Sequence, residues 1–222
     1  GVSDPAKLRW LDPPPPKFFQ AAGDLLKTFR AIDREGRLTP HGRRMAALPV
    51  HPRLAHMLVI ANEHHLGGTA CDLAALLGER DFMNRERQAP DGDLQLRLDC
   101  LEALRAKTDG ALRGISLERS TARRIIHSAA RLRRQLNPTA ERARRQSAGR
   151  LLAWAYPDRI AQRRPTGEGR FLLANGRGGF LDPREPLATQ DFIVAAEMDG
   201  DRRDARIFLA AAYDLDDLLA QN

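Results

Sequence analysis

Two cysteines in 222 residues are too few for a disulfide framework, and Cys71 and Cys100 stand far apart in apolar helical contexts, so no paired thiolates offer a zinc site. A reducing, cytoplasmic compartment is expected. No apolar run approaches the ~20 residues a membrane helix needs, and no charged-then-apolar signal pattern opens the chain, so neither a membrane partner nor secretion is expected. The chain starts Gly1-Val2-Ser3, as a processed or excised polypeptide would. Lysine is scarce too: none of Lys7, Lys17, Lys27 and Lys107 follows a glycine, so there is no phosphate-binding Gly-Lys-Ser/Thr loop. No Asp-Glu dipeptide occurs, which removes an Asp-Glu-x-His motif. Nucleotide hydrolysis by this chain alone is therefore not expected. Ser3, Ser116, Ser120 and Ser147 have no base-orienter pattern beside them, and no catalytic residue is assigned.

Some residues invite chemistry that their spacing does not support. His51 and His56 would project ~140° apart on a helix, so no metal is expected despite the nearby Glu63-His64-His65. The glycine-rich Asn175 to Gly179 follows no strand-to-helix pattern and reads as a hairpin turn. Asp199, Asp201 and Asp204 read as a polar hairpin tip rather than a Ca²⁺ loop.

What the chain does have is arginine, which accounts for 32 of its 36 basic residues. A GC-rich genome explains that ratio but not the clustering. The net charge of +7 resolves into +1 over residues 1–96, +11 over 97–170 and −5 over 171–222. A length of 222 residues allows one large or two to three small domains, at ~100 to 200 residues each for the larger kind.

Along the chain, Pro13 to Pro16 form a stiff connector, and residues 1–17 are read as a linker. From Phe18 a helical stripe runs through Ala22, Leu25, Leu26 and Phe29. Asp33 to Gly36 is turn-rich, and Thr39-Pro40 opens a short helix, so residues 18–50 suit a winged-helix module. Residues 51–150 are read as a helical bundle. Its helices run from His51 to His65, ended by Gly67-Gly68, then over Thr69 to Glu79, Asp93 to Lys107 and Leu117 to Leu136. A polar, mobile loop is expected at Asp81 to Gly92, and a last helix from Thr139 to about Trp154.

The Leu117 to Leu136 helix is the most informative. Ala122, Ile125, Ala129, Leu132 and Leu136 share a face. Arg119, Arg123, His127 and Arg134 project from the other side, flanked by Arg124 and Arg131. Arg142, Arg144, Arg145 and Arg150 extend the row, and Glu141 is the only acid between Arg119 and Arg150. A merely solvated face interleaves acids at i,i+4; this one reads as a polyanion-binding ridge.

Residues 151–222 change grammar. Five short strands are expected at Ile160 to Arg164, Arg170 to Leu173, Gly179 to Leu181, Asp191 to Met198 and Ala205 to Ala212, which suits an OB-fold-like β-barrel. The fold class is therefore multi-domain α+β. Seven of the twelve aromatics fall here, most as core and one or two as base-stacking platforms. Arg163, Arg164, Arg170 and Arg177 lie on early strands and turns and the acids on late ones, predicting a basic and an acidic end.

The stretches LTPHGRRMAALPVHPRLAHML (from Leu38) and ACDLAALLGERD (from Ala70) resemble the segment that follows the motor domains in DEAH-box helicases. The opening VSDPAKLRWLDPPP, LLAWAYPDRIAQRR and GRFLLANGRGGFLDPREPLATQDFIVAAEM resemble more narrowly the bacterial HrpB group of ATP-dependent RNA helicases. The resemblance implies a winged helix, a ratchet-type helical domain and an OB-fold roofing a single-strand tunnel. It also implies RecA-like motor domains as intramolecular partners, ATP and Mg²⁺ bound by those motors, and a further C-terminal domain. None of these is encoded here, so the chain reads as a monomeric accessory region gripping single-stranded RNA, or DNA. The expected contacts are Arg119, Arg123, Arg131, Arg134, Arg144, Arg145, Arg163, Arg164 and Arg177. Two rivals stand beside this: a protein-docking module, and a stand-alone winged-helix DNA regulator reading bases through Arg43 and Arg44.

Overall fold

The computed structural model describes residues 12–84, 91–108, 112–140, 147–165, 167–200 and 204–219. Helix α1 (Pro16–Thr28) starts where the proline run ends, because a missing N–H is harmless in the first turn. Its stripe meets the core only at the far end, where Phe29 is buried. In the turn that follows, the Asp33 carboxylate accepts from the backbone N–H groups of Glu35 (3.0 Å) and Arg37 (2.8 Å). Ile32 and Leu38 bridge across it. Thr39 then caps α2 (Pro40–Ala46) by accepting from the Gly42 N–H at 2.9 Å. A Cβ at Gly42 would collide with the Ala31 carbonyl, so the close packing of this winged-helix module depends on that glycine.

Helices α3 (Pro52–Glu63) and α4 (Gly67–Leu77) lie at the centre and are buried on most sides, which is why their apolar residues are near-continuous. Gly67 and Gly68 open α4 rather than end α3. The break lies at 64–66, where His65 takes a left-handed backbone (φ 58°). The start of the expected polar loop is instead tied into the fold: Phe82 is fully enclosed, Met83 bridges to Leu117, and the Glu118 N–H donates to the Phe82 carbonyl at 2.8 Å, while residues 85–90 lie outside the described residues. Helices α5 (Leu94–Ala106) and α6 (Arg119–Leu136) complete the bundle. The last expected helix does not run unbroken from Thr139: residues 139, 140 and 147 are not helical, residues 141–146 lie outside the described residues, and α7 covers Ala148–Ala155. The divisions expected at 17/18 and 150/151 fall inside α1 and α7.

The strands β1 (Ile160–Arg163), β2 (Arg170–Leu173), β3 (Gly178–Phe180), β4 (Phe192–Met198) and β5 (Asp204–Ala212) close a barrel in the order β1-β2-β3-β5-β4, with β3 and β5 parallel. A short helix α8 (Leu215–Leu219) follows. Phe171, Leu173, Ile193, Ala195 and Ile207 fill the interior. The outward residues Val194, Ala196, Leu209, Ala211 and Tyr213 join one apolar cluster that runs back through α7 into the bundle and the winged helix. Both faces of β4 are therefore dry, and residues 193–196 are all buried. Among the described residues no helix is long and apolar enough to cross a membrane.

Candidate nucleic-acid interface

α6 presents the expected two faces. Ala122, Ile125, Ala129 and Leu132 are buried, mainly against α4, and Leu136 is half-buried. Arg119, Arg123, Arg124, His127, Arg131 and Arg134 are exposed along a length of roughly 22 Å. Among the described residues Arg123 and Arg134 form no ion pair, Arg131 reaches only the Ser128 hydroxyl (3.2 Å), and Arg124 meets Glu79 at 3.6 Å. At the helix start, Glu118 sits before the first turn. The Ser120 hydroxyl donates to it at 2.8 Å, and together with Thr121 holds the carboxyl below its usual range. The helix ends at Asn137, whose left-handed backbone (φ 49°) lets its N–H reach the Arg133 carbonyl.

One arginine of this helix does the opposite of its neighbours. Arg133 turns inward, donating to the Gly68 carbonyl (2.9 Å) and the Asp72 carboxylate (2.6 Å). Arg105 of α5 grips the same carboxylate with two N–H groups. Asp72 is buried and has both oxygens satisfied by guanidinium groups, so it pins α5 and α6 to α4. Nothing in the sequence marked Arg133, because the ~100° step from Arg134 becomes decisive only once α4 is in place.

The barrel arginines behave differently from the ridge. Arg163 pairs with Asp191 (2.7 Å), Arg170 with Asp204 (3.2 Å), and Arg177 donates to the Gly200 carbonyl (3.0 Å). Early-strand bases thus meet late-strand acids across the closed sheet, so among the described residues the expected basic and acidic ends are not separate. Closure sets β1 beside β4 and β3 beside β5, which linear order hides. Arg164 is half-buried. The barrel joins the bundle through α7 and α5, whereas α6 is held by α4 and α3, so the barrel arginines and the ridge do not form one contact cluster. Arg144 and Arg145 lie outside the described residues.

Sequence reasoning also missed the joint between the parts. Arg53 of α3 donates to both Asp158 oxygens (2.6 and 3.2 Å) and to the Ala155 carbonyl (3.1 Å), with its guanidinium over Tyr156 and Phe29. Arg159 covers the Tyr156 ring and donates to the Ala196 carbonyl at 2.6 Å. Burial raises the Tyr156 hydroxyl and lowers the Arg159 guanidinium from their ordinary values. The Tyr156-Pro157-Asp158-Arg159 stretch is a structural clamp. The two candidate base readers of α2 are also engaged within the fold, Arg43 with the Leu38 carbonyl (3.2 Å) and Arg44 with Glu63 (2.6 Å).

The glycine-rich 175–179 stretch is the hairpin turn its sequence suggests: it closes the β2–β3 hairpin instead of starting a helix, and a Cβ at Gly178 would run into the Asp204 carboxylate.

Comparison with known proteins adds relatives. The winged-helix helicase-associated domain (HA2) family matches residues 24–50. The ATP-dependent RNA helicase HrpB of Escherichia coli (strain K12) is 35% identical over 221 residues, covering 99% of this chain and 24% of that protein. The pre-mRNA-splicing factor ATP-dependent RNA helicase prp22 of Schizosaccharomyces pombe is 33% identical over 88 residues, 40% of this chain and 8% of that one. A crystal structure of the E. coli DExH-box NTPase HrpB superposes with a TM-score of 0.76 at 33% identity, over 99% of this chain and 24% of that one. A second, of the Escherichia coli DEAH/RHA helicase HrpB, gives 0.75 at 31%, over 97% and 24%. The chain thus spans about a quarter of the length of the HrpB proteins it matches.

Proposed function

We propose, from the premise that this chain is related over its whole length to the accessory region of DEAH-box RNA helicases of the HrpB group, that it grips single-stranded RNA while motor domains elsewhere in a parent protein hydrolyse ATP. The observation that carries this reading is the exposed arginine row of α6, backed by a buried apolar face, in which Arg123, Arg131 and Arg134 form no ion pair among the described residues. Exposed guanidinium groups hold phosphates at a strength that falls with salt, so a strand can be held and released as the motors cycle. ATP and Mg²⁺ belong to the motors in this reading. The absence of a Gly-Lys-Ser/Thr loop and of an Asp-Glu-x-His motif supports that assignment. A cytoplasmic, reducing setting goes with it: Cys71 and Cys100 are both buried and in no disulfide, and burial pushes the Cys100 thiol up to about 11.

Replacing Arg119, Arg123, Arg131 and Arg134 by Glu should lower RNA affinity on the order of 100-fold at low salt. For the native chain, log K against log salt should fall with a slope of roughly −3 if four phosphates are neutralised. Unchanged affinity in the variant would remove the ridge from the site. A docking role for another face has its own observation: α1 has no buried residue over Pro16–Thr28 and exposes Phe18 (61%) and Phe19 (45%), as a surface that meets the parent's motor domains would. Hydrogen exchange on the parent protein separates the two roles, with α6 protected only when RNA is present and α1 protected regardless.

A further inference from the structure

α6 packs along α4 and leaves a gap toward α5. The gap is a hollow of about 310 Å³. Its floor is aliphatic, made by Leu104 of α5 with Ala122 and Ile126 of α6, and its rim is cationic, made by Lys107, Arg119 and Arg123. Arg119, Ala122, Arg123 and Ile126 succeed one another at steps of three and four, so they form a single stripe of the helix. Leu104 and Ile126 pack against the core yet remain half-buried, apolar surface that closure of α6 onto α5 would have covered. Lys107 is held at the mouth by a left-handed backbone (φ 56°) where α5 ends. On the far side of Arg123 a second hollow of about 350 Å³ is lined by Glu79, Arg124, His127, Ser128 and Arg131, with no comparable aliphatic floor. Arg123 is the wall between a niche floored by aliphatic side chains and one lined by the stems of charged and polar ones.

We infer that the α5–α6 hollow is a base-insertion niche, in which one unstacked nucleobase of a bound RNA strand rests on the half-buried Leu104 and Ile126, above the buried Ala122, while its flanking phosphates meet Lys107, Arg119 and Arg123. A phosphate alone makes no use of the floor, and an apolar peptide makes no use of three cations. A base has a flat apolar face with an anion on either side and uses both. Aliphatic carbons contact any base face, so the niche adds grip without sequence preference. The inference rests on the single-strand reading of the α6 ridge and gives that ridge a second kind of contact.

The test compares binding of a short oligoadenylate RNA with the same strand made abasic, using the intact chain. The variants are Ile126→Ser, Leu104→Ser and, outside the hollow, Arg131→Glu with Arg134→Glu. The native chain should bind the abasic strand about tenfold more weakly. Each Ser variant should lose about the same factor on oligoadenylate and nothing on the abasic strand, with the salt slope unchanged. The inference is overturned if the native chain binds both strands equally while the Arg131/Arg134 variant loses affinity; the ridge then stands and the hollow belongs to a protein contact. If the Arg131/Arg134 variant loses nothing, the single-strand reading itself fails. Where one Ser variant does not fold, which thermal unfolding would show, the other still places the base contact in the hollow, and equal binding of both strands by the native chain still overturns the inference.

Discussion

Arg133 and Arg134 are adjacent, chemically identical and put to opposite uses. The first is drawn onto Asp72 and the Gly68 carbonyl; the second stands in solvent. Removing the carboxylate should therefore be severe: Asp72→Ala strands two guanidinium groups at a buried site and should cost about 3 to 5 kcal/mol in urea unfolding. Arg134→Ala should leave stability within about 0.5 kcal/mol. A second buried arginine gives the same lesson. Arg97 is fully enclosed, pairs with Asp81 (3.1 and 2.7 Å) and donates to the Asp93 and Asp91 carbonyls (2.9 and 3.0 Å). In the sequence it was one positive charge among eighteen in the central segment. Histidine chemistry is also local. His56 stacks on Phe29 and shares a 2.9 Å hydrogen bond with His41. Burial first, then the neighbouring His41, lowers its pKa to about 4. The unfolded chain takes up a proton near pH 6.5 and the folded chain does not until about pH 4, so stability should fall as pH drops through that window. Thermal unfolding of His56→Leu should show a flatter pH dependence between those values.

At the scale of elements, local chemistry set most boundaries and packing moved the rest. Pro16, Thr39-Pro40 and Asp93 start helices as their capping chemistry requires, and all five strands lie within a residue or so of the alternating runs. The misplaced break between α3 and α4 has a plain cause: residues that punctuate in isolation serve close packing here. Gly67 and Gly68 look like a stop, yet both are buried at the start of α4, and a Cβ at Gly67 would meet Asn62 and Pro138. Gly149 is the clearer case. It lies where α7 crosses the end of β5, and a Cβ there would overlap the Ala212 carbonyl. Gly149→Ala, which raises intrinsic helix propensity, should nonetheless destabilise by about 1 to 3 kcal/mol, because the backbone contact must open. A gain in melting temperature would show that α7 does not sit so close.

At the scale of the whole molecule, a clamp between α3 and the start of the barrel adds to the packing of α5 and α7 against β4 and β5. Arg53→Ala removes the Asp158 pair, the Ala155 contact and the guanidinium layer over Tyr156 at once. A loss of about 2 kcal/mol is expected, with faster amide exchange around residues 155–161 than in α6. An even increase across both regions would mean that the clamp holds no particular joint. The chain by itself determined the order of parts, the two-faced α6 and the uneven charge, because helix period, strand alternation and proline or glycine chemistry act over a few residues. Only the tertiary structure decided which arginines face solvent, which close ion pairs across the barrel, and where a gap between α5 and α6 leaves aliphatic carbon beside three cations. Those outcomes depend on partners tens of residues away. An arginine is a ridge residue or a buried strut according to whether a carboxylate such as Asp72 lies within hydrogen-bond reach once the helices have packed.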